Sequence, residues 1–334
     1  MKINIVSTPL RVSFLGGGSD YEEYFSLGSP GFTFGTTINL SVFLSGIYHS
    51  RLSDFPFKLT YRITDSVTDY RDFKHPVAKH AFEISRWPNR GLHVSTMADV
   101  PAGTGLGSSS SFTVGLLHLL ETMQERQPKA DWLAKKAVEI ERMRLCETGG
   151  LQDQYFAAYG GTRLIEFGMD GVTVSPTLPS ETLKILSNSL VLVPIGVSRD
   201  SASYAGATAE SSKYHQEIID EMATLARVTY NEFLELKGND VGVQKLGNAI
   251  RHSWELKKII SKQSENDRVN SLVAQGISMG AYGGKLCGAG GSGFILFIVD
   301  PTEKTRFISR FHAEGAQEIT INERGSQSLK LEQN

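Results

Sequence analysis

Apolar and polar positions alternate, with many β-branched residues, over residues 3–7 and 11–15 and through a long run at 32–48; each predicts a strand. A further strand is expected at 92–97. The period then changes. Phe112, Leu116, Leu119 and Met123 recur at helical spacing and mark one face of a helix. A second helix is expected over 129–147, stopped by Gly149-Gly150, and a third begins near Leu151. Strands return at 162–167 and 189–194. Residues 201–279 read as largely helical, with breaks near Gly238 and Ser264. The end of the chain predicts a glycine-rich loop, a strand at 294–299, a helix at 302–313 and a strand at 317–321. The polar stretch 323–334 carries no element and is expected to be disordered. Strands and helices do not alternate regularly, so an α+β fold is expected rather than a doubly wound sheet. Patterning is weakest at 175–187, which divides the chain into 1–180 and 181–334.

Composition narrows the function classes. In 334 residues, 40% are hydrophobic and 21% charged, which describes a globular chain with a substantial core. The net charge of −2 points to neither nucleic acid nor an anionic membrane, so any phosphate site must gather positive potential locally. Two cysteines, Cys146 and Cys287, make no disulfide framework and fit a reducing compartment. The first residues lack a basic segment followed by an apolar stretch and a cleavage site, and the apolar runs are too short to span a bilayer. A cytoplasmic monomer or homodimer is expected.

Three glycine clusters stand out. The first is Leu15-Gly16-Gly17-Gly18-Ser19-Asp20-Tyr21, after a strand and before a short helix. Its glycines let a ligand approach the backbone, and the Asp20 carboxylate either caps the helix or accepts from sugar hydroxyls. The second runs Pro101-Ala102-Gly103-Thr104-Gly105-Leu106-Gly107-Ser108-Ser109-Ser110-Ser111 and joins a strand to a helix. Backbone N–H groups at a helix start favour phosphate, and serine hydroxyls there can bond phosphate oxygens or ligate Mg²⁺. No Gly-Lys-Ser/Thr closes the loop, so it is not a Walker A sequence. In the third, Gly288, Gly290 and Gly293 match G-x-G-x-x-G, but a strand follows where a dinucleotide fingerprint needs a helix. A dehydrogenase is therefore rejected. A loop that walls a site, or a hairpin turn, fits better.

Two carboxylates differ in setting. Ala134, Val138, Glu141 and Leu145 share a helix face, which turns Glu141 inward among apolar residues. An inward carboxylate needs a cation, a metal or a donor, and Mg²⁺ shared with ATP or a structural salt bridge would each supply it. Glu139 shares its face with Lys135 and Arg142 and reads as a solvated ion-pair member. Asp153 falls in the first turn of the next helix, where it is either an acid favoured by the helix dipole or an aligner for an attacking hydroxyl.

Together these segments resemble the GHMP kinase superfamily of small-molecule kinases. Pro101, Gly105-Leu106-Gly107 and Ser108-Ser109 fit its P-x-x-x-G-L-G-S-S motif without a gap. Thr8 to Gly16 with Ser19-Asp20-Tyr21 is similar to its first motif, and Lys285 to Gly291 to its third. The resemblance implies a two-domain α+β fold with a ferredoxin-like C-terminal domain, and ATP and substrate in the cleft between the domains. It implies that Pro101, Gly103, Thr104, Gly105, Leu106, Gly107, Ser108, Ser109 and Ser110 cradle the ATP phosphates and that Ser108 and Glu141 hold Mg²⁺. Asp153 would align or deprotonate the acceptor hydroxyl, and Arg11 would pair with Asp153 and steady the transferring phosphoryl group, which is what phosphoryl transfer needs. Gly17, Gly18, Ser19, Asp20, Gly288, Ala289 and Gly290 would meet the acceptor.

Galactokinase-like members carry a glutamate and a histidine where Gly17 and Gly18 stand, so a larger acceptor is implied here. The Gly16–Tyr21 pattern, with Gly149 to Gln154 and Val197 to Ala202, resembles the branch that phosphorylates D-glycero-D-manno-heptose 7-phosphate at its anomeric hydroxyl. In that branch the 1,7-bisphosphate product feeds GDP-heptose for surface polysaccharide. Arg199 is then a candidate for the acceptor's phosphate. Fucokinase-like, galactokinase-like or mevalonate kinase-like activity is the runner-up, and a non-catalytic sugar sensor the reading from another class.

Overall fold

The computed structural model describes residues 3–49, 54–88, 90–196, 215–237, 239–260, 267–288 and 293–329. Its first sheet is built on two long strands, β1 (Ile3–Leu15) and β2 (Gly31–Tyr48), paired antiparallel from Ile3↔Ile47 to Leu15↔Phe34. Two strands were expected where β1 is one; Pro9, which lies between them, cannot donate to a ladder. The chain accommodates Pro9 with a register shift between Pro9 and Arg11. The Arg11 N–H, released from the ladder there, donates to Leu106 O at 3.0 Å. A bulge in a strand thus becomes the first tie to the glycine-serine loop.

β2 is shared by two neighbours. Its first half, Gly31 to Thr36, pairs with β6 (Thr162–Gly168), and its second half with β5 (Leu92–Ala98). β5 runs parallel to β3 (Phe57–Thr60), which turns back into β4 (Thr64–Val67), while β6 turns back into β7 (Gly171–Val174). The helix after the loop, α3 (Ser108–Met123), lies across β1 and β2. Glycines permit that close approach. A Cβ on Gly115 would lie 2.7 Å from Thr8 and Leu44, and one on Gly46 would lie 2.9 Å from Met123.

The second sheet contains β8 (Leu190–Gly196), β9 (Gly283–Leu286), β10 (Gly293–Ile298) and β11 (Gln317–Glu318) in the order β11-β8-β10-β9, all antiparallel. Counted along the chain this is 4-1-3-2. Helices α7 (Gln216–Glu235), α8 (Asp240–Ile260) and α9 (Asp267–Ser278) fall between its first two strands, and α10 (Lys304–Arg310) between its last two. That is the split βαβ arrangement of ferredoxin-like folds. Phe34 joins the two halves. Its ring meets Phe14 at 5.2 Å and Tyr230 of α7 at 5.3 Å, both edge to face.

One expectation is overturned at the C-terminus. Within the polar stretch, β12 (Gln327–Leu329) pairs antiparallel with β1. Hydroxyls rather than apolar contacts hold it. Ser326 Oγ lies 2.8 Å from both Thr8 Oγ1 and His118 Nδ1, beneath α3. His118 is buried, and burial pushes its pKa down to about 4. The folded state therefore binds this proton less readily than the unfolded chain. Its contribution is fully present above the unfolded value of about 6.5 and disappears as pH falls through about 4, roughly 3 kcal/mol in all. Urea unfolding across that range is expected to lose stability more steeply in the parent protein than in His118→Gln; equal slopes would remove His118 from the account.

Candidate active site

The loop from Pro101 to Gly107 turns three times through left-handed glycines, Gly103 (φ +81°), Gly105 (φ +74°) and Gly107 (φ +76°). Gly107 directly precedes α3, and no side chain caps that helix start. The first N–H groups of a 16-residue helix are thus presented without a side-chain acceptor, a natural cradle for phosphate. Two glycines of the third cluster, Gly288 after β9 and Gly293 at the start of β10, pack against this loop backbone to backbone. A Cβ on Gly288 would stand 2.5 Å from Gly105 Cα, and one on Gly293 would stand 2.1 Å from Thr104 O. Thr104 and Leu106 are buried, and Pro101 is exposed at the loop's edge.

Arg11 sits beneath that junction. Its Nε and Nη2 donate to Asp153 Oδ1 and Oδ2, both at 2.8 Å, and its Nη1 donates to Gly105 O at 2.5 Å. Asp153 lies in the first turn of α5 (Gln152–Tyr159). The expected pairing of Arg11 with Asp153 is therefore present as a two-pronged ion pair.

Glu141 reaches the same place by a local irregularity. The expected helix over 129–147 is α-helical only as α4 (Ala130–Val138); Glu139–Arg144 winds as a π-helical turn. Such turns recur at functional sites because they re-aim side chains. Arg142 consequently turns away from Glu139, which pairs with Lys136 and Arg144 rather than with Lys135 and Arg142. Arg142 instead donates to Glu147 O and Gly150 O, and its guanidinium lies 3.9 Å from Glu141 Oε2 as a loose ion pair. Glu141 is 1% exposed. Its Oε2 accepts from Ser110 Oγ at 2.8 Å and Gln154 Nε2 at 2.5 Å, whereas Oε1 is buried without a partner among the described residues. Burial raises its pKa, offset in part by the Thr113 hydroxyl and the Arg142 charge and then by the Ser110 and Gln154 donors. The serine that bonds Glu141 is Ser110; Ser108, expected to share Mg²⁺ with Glu141, stands half-buried at the helix start.

Asp20 does not cap the short helix α1 (Glu22–Phe25), which has no side-chain cap. Its carboxylate accepts from Gly18 N at 3.0 Å and from Gln152 N and Nε2 at 3.3 and 2.9 Å, clamping the first glycine loop to the start of α5. Burial, then the Asp153 charge, raises its pKa. Ser19 is a correction: its hydroxyl is spent on Phe32, donating to O and accepting from N. Gly17 and Gly18 border open space, and a Cβ on Gly17 would meet nothing within 4 Å.

These groups enclose one cavity of about 520 Å³, lined by Arg11, Gly16 to Gly18, Asp20, Ser109, Ser110, Glu141, Asp153 and Gly288. That volume suits a small ligand. Arg142, Lys257 and Lys285 also line it and were not anticipated. Lys285 opens the third glycine cluster, so its position was a usable signal; Lys257 lies in a long amphipathic helix and carried none. Arg199, Ala289 and Gly290 lie outside the described residues. No helix among the described residues is long and apolar enough to cross a membrane.

A helix start fit for phosphate, a buried carboxylate with an open oxygen and an Arg–Asp pair in one cleft define a phosphotransferase-type site. Residues 73–161 match the GHMP kinases N terminal domain, and the chain as a whole has the GHMP kinase fold. The chain is 29% identical to the D-glycero-alpha-D-manno-heptose 7-phosphate kinase of Campylobacter jejuni, over 99% of this chain and all of that one. Its fold is similar to that of a crystal structure described as a D-glycero-D-manno-heptose 1-phosphate kinase from Bacteroides thetaiotaomicron. That likeness has a TM-score of 0.78 and 24% identity over 99% of this chain and 100% of the other. It is also similar to Lactococcus lactis galactokinase complexed with galactose, at a TM-score of 0.76 and 14% identity over 98% and 95% of the two chains.

Two outcomes follow from this geometry. A Cβ at Gly150 would lie 1.8 Å from Asp20 Oδ2, so Gly150→Ala should lower both the melting temperature and turnover, the latter more than 10-fold; unchanged kinetics would show the clamp is dispensable. Because Glu141 has a raised pKa, its ionised form costs folding stability as pH rises past the ordinary carboxylate range. Glu141→Gln should therefore raise the melting temperature of the metal-free protein at neutral pH, and a fall would contradict that reading.

Proposed function

We propose that this chain is an ATP-dependent sugar kinase that phosphorylates the anomeric hydroxyl of D-glycero-D-manno-heptose 7-phosphate, giving the 1,7-bisphosphate. The observation that carries the proposal is the convergence of Arg11, Asp153, Ser110 and Glu141 on one cavity beside an uncapped helix start. The full-length likeness to a heptose 7-phosphate kinase supports the choice of acceptor. So does the space beside Gly17, where no side chain narrows the acceptor loop.

In this reading the ATP phosphates lie on the N–H groups at the start of α3, with Gly103 to Gly107 folded closely around them. Mg²⁺ would be held by Glu141, whose Oε1 has no partner among the described residues, together with a hydroxyl of Ser110 or Ser108. When bound, the ion neutralises charge on the phosphates. Asp153 orients the acceptor hydroxyl and takes its proton as the new O–P bond forms and the bond from the γ-phosphorus to the ADP oxygen breaks. Arg11 holds Asp153 in place and faces the developing phosphoryl charge. Residues 1–180 and 181–334 serve as the two walls of the cleft.

A coupled ADP-release assay with heptose 7-phosphate, L-fucose, galactose and mevalonate tests the proposal. Turnover should be at least 10-fold faster with the heptose phosphate; faster turnover of another acceptor would reassign the substrate, and none at all would favour a sensor. Asp153→Ala should lower kcat by about 10²–10⁴ with little change in the KM for ATP. Parent-like kcat in that variant would remove Asp153 from the chemistry.

A further inference from the structure

Three consecutive residues at the start of α5 reach three different parts of the cleft. Successive residues of a helix are turned about 100° from one another, so Gln152, Asp153 and Gln154 fan outward instead of sharing a face. Gln152 holds Asp20 beside the first glycine loop, and Asp153 pairs with Arg11. Gln154 serves the remaining part. It is fully buried, and its Nε2 donates to Glu141 Oε2 at 2.5 Å. A carboxylate accepts and does not donate, so the nitrogen end of the amide is the end that faces it.

The contacts of the Glu141 carboxylate are lopsided. The bonds from Ser110 and Gln154 and the loose pair with Arg142 all fall on Oε2, while Oε1 has no partner among the described residues. The Thr113 hydroxyl, which also favours the charged form, itself donates to Ser109 O at 3.2 Å. Packing alone does not account for a glutamine here. The Gln154 Oε1 is buried with no partner among the described residues, a cost that an apolar side chain of equal length would avoid. The donor half of the amide is the half in use, and it is used on Glu141.

We propose that Gln154 is a positioning residue for Mg²⁺, holding Glu141 by Oε2 so that Oε1 is left for the ion. The proposal rests on the kinase reading above. Carboxylates that bind metals are themselves held by hydrogen bonds, and losing such a support typically weakens metal binding about 10- to 100-fold. Because Gln154 follows Asp153 in the first turn of α5, one helix start then sets both the metal ligand and the group that meets the acceptor hydroxyl.

The test compares the parent protein with Gln154→Met, which keeps the side-chain length and loses the amide. ADP binding is measured calorimetrically with and without Mg²⁺, and Mn²⁺ is titrated into the nucleotide-free protein by electron paramagnetic resonance. The gain in ADP affinity on adding Mg²⁺ should shrink about 10-fold or more in the variant, and Mn²⁺ affinity should fall by a similar factor. Metal-free ADP affinity and the KM for the acceptor should stay within about threefold, while the Mg²⁺ concentration for half-maximal turnover rises. An unchanged Mg²⁺ effect with unchanged Mn²⁺ affinity would overturn the proposal, and so would a lowered melting temperature as the variant's only change. In a Glu141→Gln background, Gln154→Met should alter the Mg²⁺ effect less than twofold; the full loss seen in the parent would show that Gln154 does not act through Glu141. If the parent binds no ADP, the kinase reading fails by itself, and the Mn²⁺ titration then decides separately: weaker binding in the variant sustains the role of Gln154, and equal binding overturns it. Gln154→Leu carries the same test should Gln154→Met fold poorly.

Discussion

One buried guanidinium organises the cleft. The Arg11 side chain is 7% exposed, and its donors go to Asp153 on α5 and to the Gly105 carbonyl on the loop, while its own N–H goes to Leu106. A buried charge left unpaired costs several kcal/mol, so strand, loop and helix cannot drift apart without exposing that cost. The pair also fixes where an acceptor hydroxyl could meet Asp153. Its geometry depends on Pro9, whose inability to donate forces the register shift that frees the Arg11 N–H. The glycines serve the same junction, because any side chain at Gly105 or Gly288 would hold the two loops apart.

Much of this was legible in the sequence. Strand periodicity located β2, β5, β6, β8 and β10 to within a few residues, and the glycine-serine loop was placed correctly at the start of α3. The Arg11–Asp153 pair and the inward turn of Glu141 were also anticipated. What escaped notice has physical causes. Short strands such as β3, β4, β7 and β9 carry too few residues to show a period. The π-helical turn after Val138 leaves no mark in apolar spacing, yet it exchanges the partners of Glu139 and brings Arg142 to the cavity. β12 is held by backbone pairing to β1 and by Ser326, just before it, whose hydroxyl meets Thr8 and His118, so a hydrophobicity pattern could not reveal it.

The site is assembled at the expense of stability. Glu141 and Asp20 are both held where burial disfavours their charge, and Lys257 and Lys285 are crowded toward Arg11. Such groups persist when ligands complete their coordination, and perturbed carboxylates and lysines concentrated in one cleft are characteristic of functional sites. Fully buried aromatics such as Phe14, Phe34 and Phe156 fill the surrounding core.

The most direct measurement is a crystal structure with Mg²⁺ and a non-hydrolysable ATP analogue. The account predicts phosphates on the N–H groups of Ser108 to Ser110 and the ion on Glu141, with the terminal phosphate facing Arg11 and Asp153. A nucleotide seated elsewhere, or an ion that leaves Glu141 untouched, would contradict it.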